Sequence, residues 1–280
     1  MGREISGSTR LAGVVGWPIE HSLSPALHNA AFDAASFDAI SLALKVGQDR
    51  LSDAIRGLCA MGAVGVSVTM PHKAAVLALA DHVDPLVERL GVANCLTMVD
   101  GEVFATSTDG QGCLDSLDEA VGFVPKGSSA VVLGAGGAAS AIIVALLDAG
   151  CRVKVLTRRP EAAEELVQRL GGGLSVAVPQ DLGGADLVVN ATPLGMDGTK
   201  GEGLLAVLDP SLLSRGQIVL DTVYAPAETP LLLAARAVGA KTVGGLGMLV
   251  HQARRQLEGW MAQPVDPNVL WNAVGGRNEQ

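Results

Sequence analysis

Lys73 is the most interesting single residue in this sequence for moving a proton. It closes Thr69-Met70-Pro71-His72-Lys73, where an apolar run gives way to a turn and a helix start. A lysine at the edge of a cleft, partly withdrawn from water, can serve as a general acid or base. A lysine on the solvated face of a helix has no such role, and the residues alone leave both readings open. Asp109, in Thr108-Asp109-Gly110, is either a helix-capping residue or an acid that faces a ligand. Asn94 lies among apolar neighbours and is either satisfied within its own turn or a ligand contact. Ser22 and Ser24, in His21-Ser22-Leu23-Ser24-Pro25, offer two hydroxyls that can hold a carboxylate. Ser24 also suits the cap of a helix with Pro25 at its first position. Gln252, on a late helix, is unremarkable by itself. The five histidines have no metal-ligand spacing and read as packing or surface residues, and Cys59, Cys95, Cys113 and Cys151 form no C-x-x-C pair, so no metal is expected.

A second chemistry is written around Ser129–Ser140. The apolar run Ala130–Leu133 enters the turn Gly134-Ala135-Gly136-Gly137-Ala138-Ala139 and then an apolar helix. This is a G-x-G-x-x-A form of the dinucleotide fingerprint: one glycine for the sharp turn, one for close approach of a pyrophosphate, and a small residue for close helix–strand packing. Backbone N–H groups and the helix dipole favour an anion there. About 20 residues further on, an acid would select the ribose of NAD. The next strand ends instead in Thr157-Arg158-Arg159. Paired guanidinium groups suit a 2′-phosphate, which favours NADP.

These residues need a scaffold of 280 residues to hold them, enough for one large domain or two ordinary ones. Half of it is hydrophobic (49%) but little is aromatic (3%), so the core must be built from Ala, Val and Leu. A net charge of −9 argues against a nucleic-acid surface. The N-terminal stretch lacks the apolar core of a signal peptide, no apolar run reaches membrane-spanning length, and the cysteines read as reduced, mostly buried thiols; a cytoplasmic protein with no membrane partner is expected. In the first part, strands are expected over 11–16, 40–46 and 63–68. Helices are expected after Ser24, over 49–61, from Lys73 to about His82 and over 84–90, with a hairpin turn at Asp100-Gly101. From Ala130 the order is strand 130–133, helix 138–149, strand 152–156, helix 161–170, and strands 174–178, 186–189, 218–221 and 241–243. Such alternation predicts an α/β protein with a parallel sheet. Helices over 248–261 and 267–274 close the chain. The domain boundaries are expected in the helix beginning at Asp109 and near Gly244-Gly245, with a ligand cleft between the lobes.

In combination, these stretches resemble a family. His21-Ser22-Leu23-Ser24-Pro25-Ala26-Leu27-His28-Asn29, Val68-Thr69-Met70-Pro71-His72-Lys73, Gly91-Val92-Ala93-Asn94, Thr108-Asp109-Gly110 and Gly134–Ala138 fall in the order seen in shikimate dehydrogenases. Asn190-Ala191-Thr192-Pro193-Leu194-Gly195-Met196, Tyr224-Ala225-Pro226 and Gly245–Gln252 continue that order, so the resemblance covers about Leu11 to Trp260. It implies two lobes: an N-terminal α/β substrate lobe, residues 1–110 completed by helices in 246–280, and a Rossmann-like doubly wound parallel-sheet cofactor lobe over 111–245. It implies reversible NADPH-dependent reduction of 3-dehydroshikimate to shikimate, in aromatic amino acid biosynthesis. Lys73 and Asp109 would be the catalytic pair. Ser22 and Ser24, helped by Tyr224, would hold the substrate carboxylate, and Thr69, Asn94 and Gln252 would contact its hydroxyls. Gly134, Ala135, Gly136, Gly137, Ala138, Thr157, Arg158, Arg159, Val223 and Gly245 would line NADP. The protein would be a monomer or homodimer whose partner is a small-molecule substrate.

The sequence departs from the family pattern in places. Gly16-Trp17-Pro18 stands for G-N-P, Ser67 for an asparagine before V-T, Cys95 for the threonine of G-A-V-N-T, and Ser107 for the asparagine of N-T-D. These touch or border the expected substrate pocket. The arginine expected at the end of N-R-T-x-x-R is Ala162. Two other readings remain. One is a quinate/shikimate dehydrogenase, or a relative acting on another cyclohexane carboxylate, with either NADP or NAD. The other is a non-catalytic metabolite sensor, against which the presence of both Lys73 and Asp109 argues.

Overall fold

In the computed structural model, which describes residues 4–196 and 208–276, the chain divides into two compact units. One is Met1–Thr108 with Val250–Gln280; the other is Asp109–Leu249.

The first unit is built on a six-stranded sheet: β1 (Arg10–Gly16), β2 (Ala39–Lys45), β3 (Gly65–Val68), β4 (His82–Val83), β5 (Cys95–Val99) and β6 (Glu102–Thr106), in the order β2-β1-β3-β5-β6-β4. β2, β1 and β3 run parallel; β5 is antiparallel to both neighbours. The hairpin turns at Asp100 (φ 52°) and Gly101 (φ 85°), the two left-handed residues that a tight hairpin of this twist requires.

The strand period of two sorts β3 between two layers. Val66 and Val68 join a core with Leu51, Ile55 and Leu58 of α2 (Leu51–Ala60). Gly65 and Ser67 face the opposite way, toward the C-terminal part of helix α8 (Gly245–Met261), where Trp260 lies over Gly65. A Cβ at Gly65 would stand 2.2 Å from the indole nitrogen, so only glycine lets the helix come this close. Helix α1 (Ser24–Ala34) packs on β2 and on α9 (Pro267–Ala273).

Some expectations need correction here. Ser24 does not cap α1: it is the first helical residue, Leu23 holds the cap position, and no side chain bonds there. The stretch after Lys73 is a turn followed by a 3-10 segment, Ala75–Leu79, instead of a helix to His82. His82 pairs as β4 with Phe104, because the edge of β6 offers unmet backbone groups that a short extended segment can satisfy. Helix α3 (Pro85–Leu90) starts as expected, with the Asp84 side chain accepting from Leu86 N–H.

The second unit holds β7 (Ser129–Leu133), β8 (Arg152–Leu156), β9 (Ser175–Val176), β10 (Leu187–Asn190), β11 (Ile218–Asp221) and β12 (Lys241–Val243). All neighbours are parallel, in the order β12-β11-β10-β7-β8-β9. The order reverses beside β7, which makes a doubly wound sheet with its switch point between β7 and β10. Val131 and Leu133 join one core with Leu231, Leu232 and Ala235 of α7 (Pro230–Ala237), a helix the sequence reading did not name. Helix α4 (Asp109–Val121) lies against α5 (Gly137–Asp148), touching so closely at Gly110 that a Cβ would sit 2.4 Å from the Ala141 carbonyl. Helix α6 (Pro160–Leu170) follows β8, and α8 opens at Gly245, three residues before the expected start. Among the described residues, no helix is long and apolar enough to cross a membrane.

Candidate active site

One edge of the first sheet collects the chemistry-bearing turns. The register pairs Val15 with Val68, Ser67 with Cys95 and Cys95 with Thr106. The ends of β1, β3 and β6 and the start of β5 therefore lie side by side. From them leave the loops that carry Ser22, Thr69, Lys73, Asn94 and Thr108. Backbone bonds tie these loops together: Trp17 N–H to Met70 O (2.9 Å), Thr69 N–H to Val15 O (3.0 Å), and Ala93 N–H to Lys73 O (2.8 Å). Lys73 is half-buried, and its backbone is thus fixed one residue from Asn94. Ser22 Oγ accepts from Ser24 N–H at 3.3 Å, so the two hydroxyls share one turn at the start of α1. At the rim, Trp17 is exposed with Lys45 Nζ 4.6 Å from its ring centre, and Lys45 pairs with Glu20.

Asn94 and Gln252 do meet. Asn94 Nδ2 donates to Gln252 Oε1 (3.3 Å) and to Thr108 Oγ1 (3.0 Å), while its Oδ1 accepts from Thr108 N–H (2.7 Å). Gln256, one turn beyond Gln252 on α8, donates to Gln252 Oε1 (2.8 Å) and to the Asn94 carbonyl (3.1 Å), with its nitrogen also 3.2 Å from Thr108 Oγ1. Its own oxygen accepts from the Ser67 hydroxyl. The chain of contacts runs on to His28, whose Nε2 lies 3.4 Å from Ser67 Oγ and whose Nδ1 lies 2.8 Å from Ser41 Oγ. Asn94, Gln252, Gln256, Ser67 and His28 are all buried. Leaving one such group unpaired would cost about 1–3 kcal/mol, so the cluster specifies one arrangement. Burial pushes the His28 imidazole down to about 3, which keeps it neutral. Motif reading gave His28 only a packing role and missed Gln256 altogether. The available signal was the spacing Gln252, Gln256, Trp260, which puts three polar-tipped side chains on one helix face.

In the second unit the glycine turn has the features that an anion needs. Gly134 has φ +111°, and a Cβ on it would stand 3.0 Å from Thr192 Cγ2, so the turns after β7 and β10 nearly touch. Gly136 is the cap residue of α5 and brings no side chain to its first N–H groups; a Cβ there would meet open space. Ala139 is fully buried beneath the helix start. Arg158 and Arg159 stand exposed just past β8, with Thr157 Oγ1 bonded to the Arg159 carbonyl. A bare helix N-terminus and an open glycine at the switch point, with two guanidinium groups just past the adjacent strand β8, fit a phosphorylated dinucleotide.

The turns beyond β10 and β11 are held by a buried triad. Asn190 Nδ2 donates to Asp221 Oδ1 (2.8 Å), Thr229 Oγ1 donates to Asp221 Oδ2 (2.7 Å), and Val223 N–H donates to Asp221 Oδ1 (3.1 Å). Asn190 Oδ1 in turn accepts from Thr192 N–H (3.1 Å) and its hydroxyl (2.7 Å). Burial pushes the Asp221 carboxyl up, against the pull of Thr229, Val223 and Asn190. This triad positions Thr192, Val223 and Tyr224. Gly245 completes the set: its N–H reaches Val223 O at 3.3 Å, and a Cβ would stand 2.3 Å from Thr222 O. Lys73, Ser22, Ser24, Thr69, Asn94 and Gln252 thus belong to the first unit, and Asp109, Tyr224 and the dinucleotide residues to the second.

Comparison with known proteins follows this division. Residues 14–96 match a family model described as the shikimate dehydrogenase substrate binding domain, and residues 123–194 one described as putative NAD(P)-binding. A shikimate dehydrogenase (NADP(+)) of Gluconobacter oxydans (strain 621H) is 46% identical over 266 residues, covering 94% of this chain and 93% of the relative. The chain belongs to the shikimate dehydrogenase family. Among solved members of the family, the Aquifex aeolicus shikimate dehydrogenase is 32% identical, with a TM-score of 0.90 over 97% of this chain and 100% of that one. The Thermus thermophilus shikimate 5-dehydrogenase, solved in complex with NADP(H) and shikimate, is 32% identical with a TM-score of 0.87, covering 95% of this chain and 98% of that one.

Proposed function

We propose that this chain is an NADP-dependent shikimate dehydrogenase, reversibly reducing 3-dehydroshikimate to shikimate in the biosynthesis of aromatic amino acids. The observation that carries the reading is the buried pairing of Asn94 with Gln252 at the sheet edge that also bears Thr69 and Lys73. A ring carrying several hydroxyls needs donors and acceptors fixed in advance, and these amides are fixed. The first unit holds the substrate. Ser22 and Ser24 bind its carboxylate with Tyr224, and Thr69, Asn94 and Gln252 bind its hydroxyls. The second unit holds NADP. The N–H groups at the start of α5 take the pyrophosphate beside Gly134–Ala138, Thr157, Arg158 and Arg159 take the 2′-phosphate, and Val223 and Gly245 line the remainder.

NADPH supplies the hydride when bound. The residues supply orientation and the proton. As the carbonyl carbon is reduced, negative charge grows on its oxygen. Lys73 carries an ammonium group that stabilises this charge and delivers the proton, and Asp109 orients Lys73 and accepts a hydrogen bond from the neighbouring hydroxyl. The enzyme works in the cytoplasm, as a monomer or homodimer.

Steady-state rates with shikimate and with quinate, each with NADP and with NAD, test this. Turnover is expected to be highest with shikimate and NADP. A higher kcat/KM for quinate would give the substrate to the other ring acid. Binding of shikimate with no turnover by either cofactor would make the chain a metabolite sensor.

A further inference from the structure

Gln256 is itself expected to contact no ligand, yet it bonds at once to Gln252, Asn94, Thr108 and Ser67. Its role follows from which amide ends are fixed by backbone groups. The Thr108 N–H can only donate, so the Asn94 atom 2.7 Å from it is the oxygen. The NH2 of Asn94 therefore faces Gln252, which must present Oε1 at 3.3 Å. The Asn94 carbonyl can only accept, so the Gln256 atom at 3.1 Å is the nitrogen. That nitrogen also lies 2.8 Å from Gln252 Oε1, the shorter of the two contacts pinning this oxygen. With both donors in place, Gln252 has its oxygen turned inward and its NH2 is the end directed elsewhere. The remaining Gln256 oxygen must then accept, and the Ser67 hydroxyl donates to it.

We propose that Gln256 is a positioning residue that sets the polarity of Gln252, so that Gln252 recognises its ligand as a hydrogen-bond donor, and that Ser67 is short because Gln256 is long. This rests on the shikimate reading given above. Ser67 stands where the family pattern has an asparagine, on the face of β3 turned toward α8. Here the amide arrives from the helix instead of the strand. Restoring the strand amide while removing the helix one should therefore restore order in the cluster.

The test is a set of four variants compared with wild type in steady-state kinetics and urea unfolding. Gln256→Ala removes the pin and should raise the KM for shikimate about tenfold or more, with kcat falling less and the KM for NADP within about twofold of wild type. Gln256→Glu keeps the acceptor for Ser67 but sets an oxygen against Gln252 Oε1, which should flip Gln252 and harm shikimate binding at least as much. Ser67→Asn alone should be impaired, because its added atoms meet Gln256. The pair Ser67→Asn with Gln256→Ala should recover to within about threefold of wild type in shikimate KM. Wild-type KM in Gln256→Ala, or a pair as impaired as the worse single variant, overturns the proposal. If the wild type turns over no shikimate, the functional reading fails, and the proposal is judged on unfolding: a pair more stable than the sum of its single changes sustains the compensation, and strict additivity refutes it.

Discussion

Lys73 is the residue on which turnover should depend most. In the proposed mechanism, replacing it with alanine removes the ammonium that meets the developing charge, and proton transfer of this kind is worth about 10²–10⁴ in rate. We expect Lys73→Ala to lose that much kcat while binding NADPH nearly as wild type does, as measured by steady-state rates and by fluorescence titration of the cofactor. Normal turnover in the variant would remove Lys73 from the chemistry. In the proposed function, Arg158 and Arg159 bear on the choice of cofactor. Both are exposed, so each contact with a 2′-phosphate should contribute modestly, about 1.5 kcal/mol, or roughly tenfold. Arg158→Ala and Arg159→Ala should each raise the KM for NADPH by about that factor and leave the KM for NADH alone. An equal loss with both cofactors would place the arginines elsewhere than at the 2′-phosphate. Both arginines were legible in the sequence because a glycine turn, a helix and the following strand end form a local unit. Gln256 was not, because its partner Ser67 lies 189 residues away and nothing in a linear reading joins them.

At the scale of elements, α1 and α8 are held to the sheet by a histidine and an indole. His28 rises from α1 to Ser41 on β2 and Ser67 on β3, with the Trp260 ring edge-on at 5.0 Å. The folded protein takes a proton on His28 only near pH 3, whereas the unfolded chain takes it near 6.5. The unfolded state thus binds more protons in between. Stability is full above about pH 6.5 and falls as the pH drops below it, by about 2 kcal/mol at pH 5 from this group. His28→Gln should be less stable at pH 7 but should show a smaller drop in urea midpoint between pH 7 and pH 5. An unchanged slope would mean that other groups set the acid limit. Gly65→Ala probes the indole. The new Cβ would force Trp260 off β3 and break its bond from Nε1 to the Leu96 carbonyl (3.2 Å). Overpacking of this kind should cost about 1–3 kcal/mol in urea unfolding. The parallel strands of the second sheet were readable as apolar runs between glycine turns. His82 was misread because a two-residue edge strand has no period, and pairing with β6 decided its conformation.

Across the whole molecule, the order of the motifs disclosed the family, since chance does not string that many short patterns into one register. The first unit is written in two parts, Met1–Thr108 and Val250–Gln280. Trp260 reaches Leu96 across 164 residues, and the second unit is spelled out between them. During synthesis this separation is a delay. At about 5–20 residues per second, Leu96 waits on the order of ten seconds for its partner. Throughout that interval the face of β3 that carries Gly65 and Ser67 has no helix over it, and Asp109–Leu249 is completed before it ends. Nascent chains arrested after Leu249 has emerged should therefore yield a protease-resistant second unit beside a digestible first one, and release of the last residues should protect both. Equal protection of both at that arrest point would show that the first sheet closes without α8. On the expected outcome, the emerging chain holds a folded cofactor-binding half before its substrate-binding half is complete, and a ribosome that stops early leaves behind a protein able to sequester NADP but not to use it.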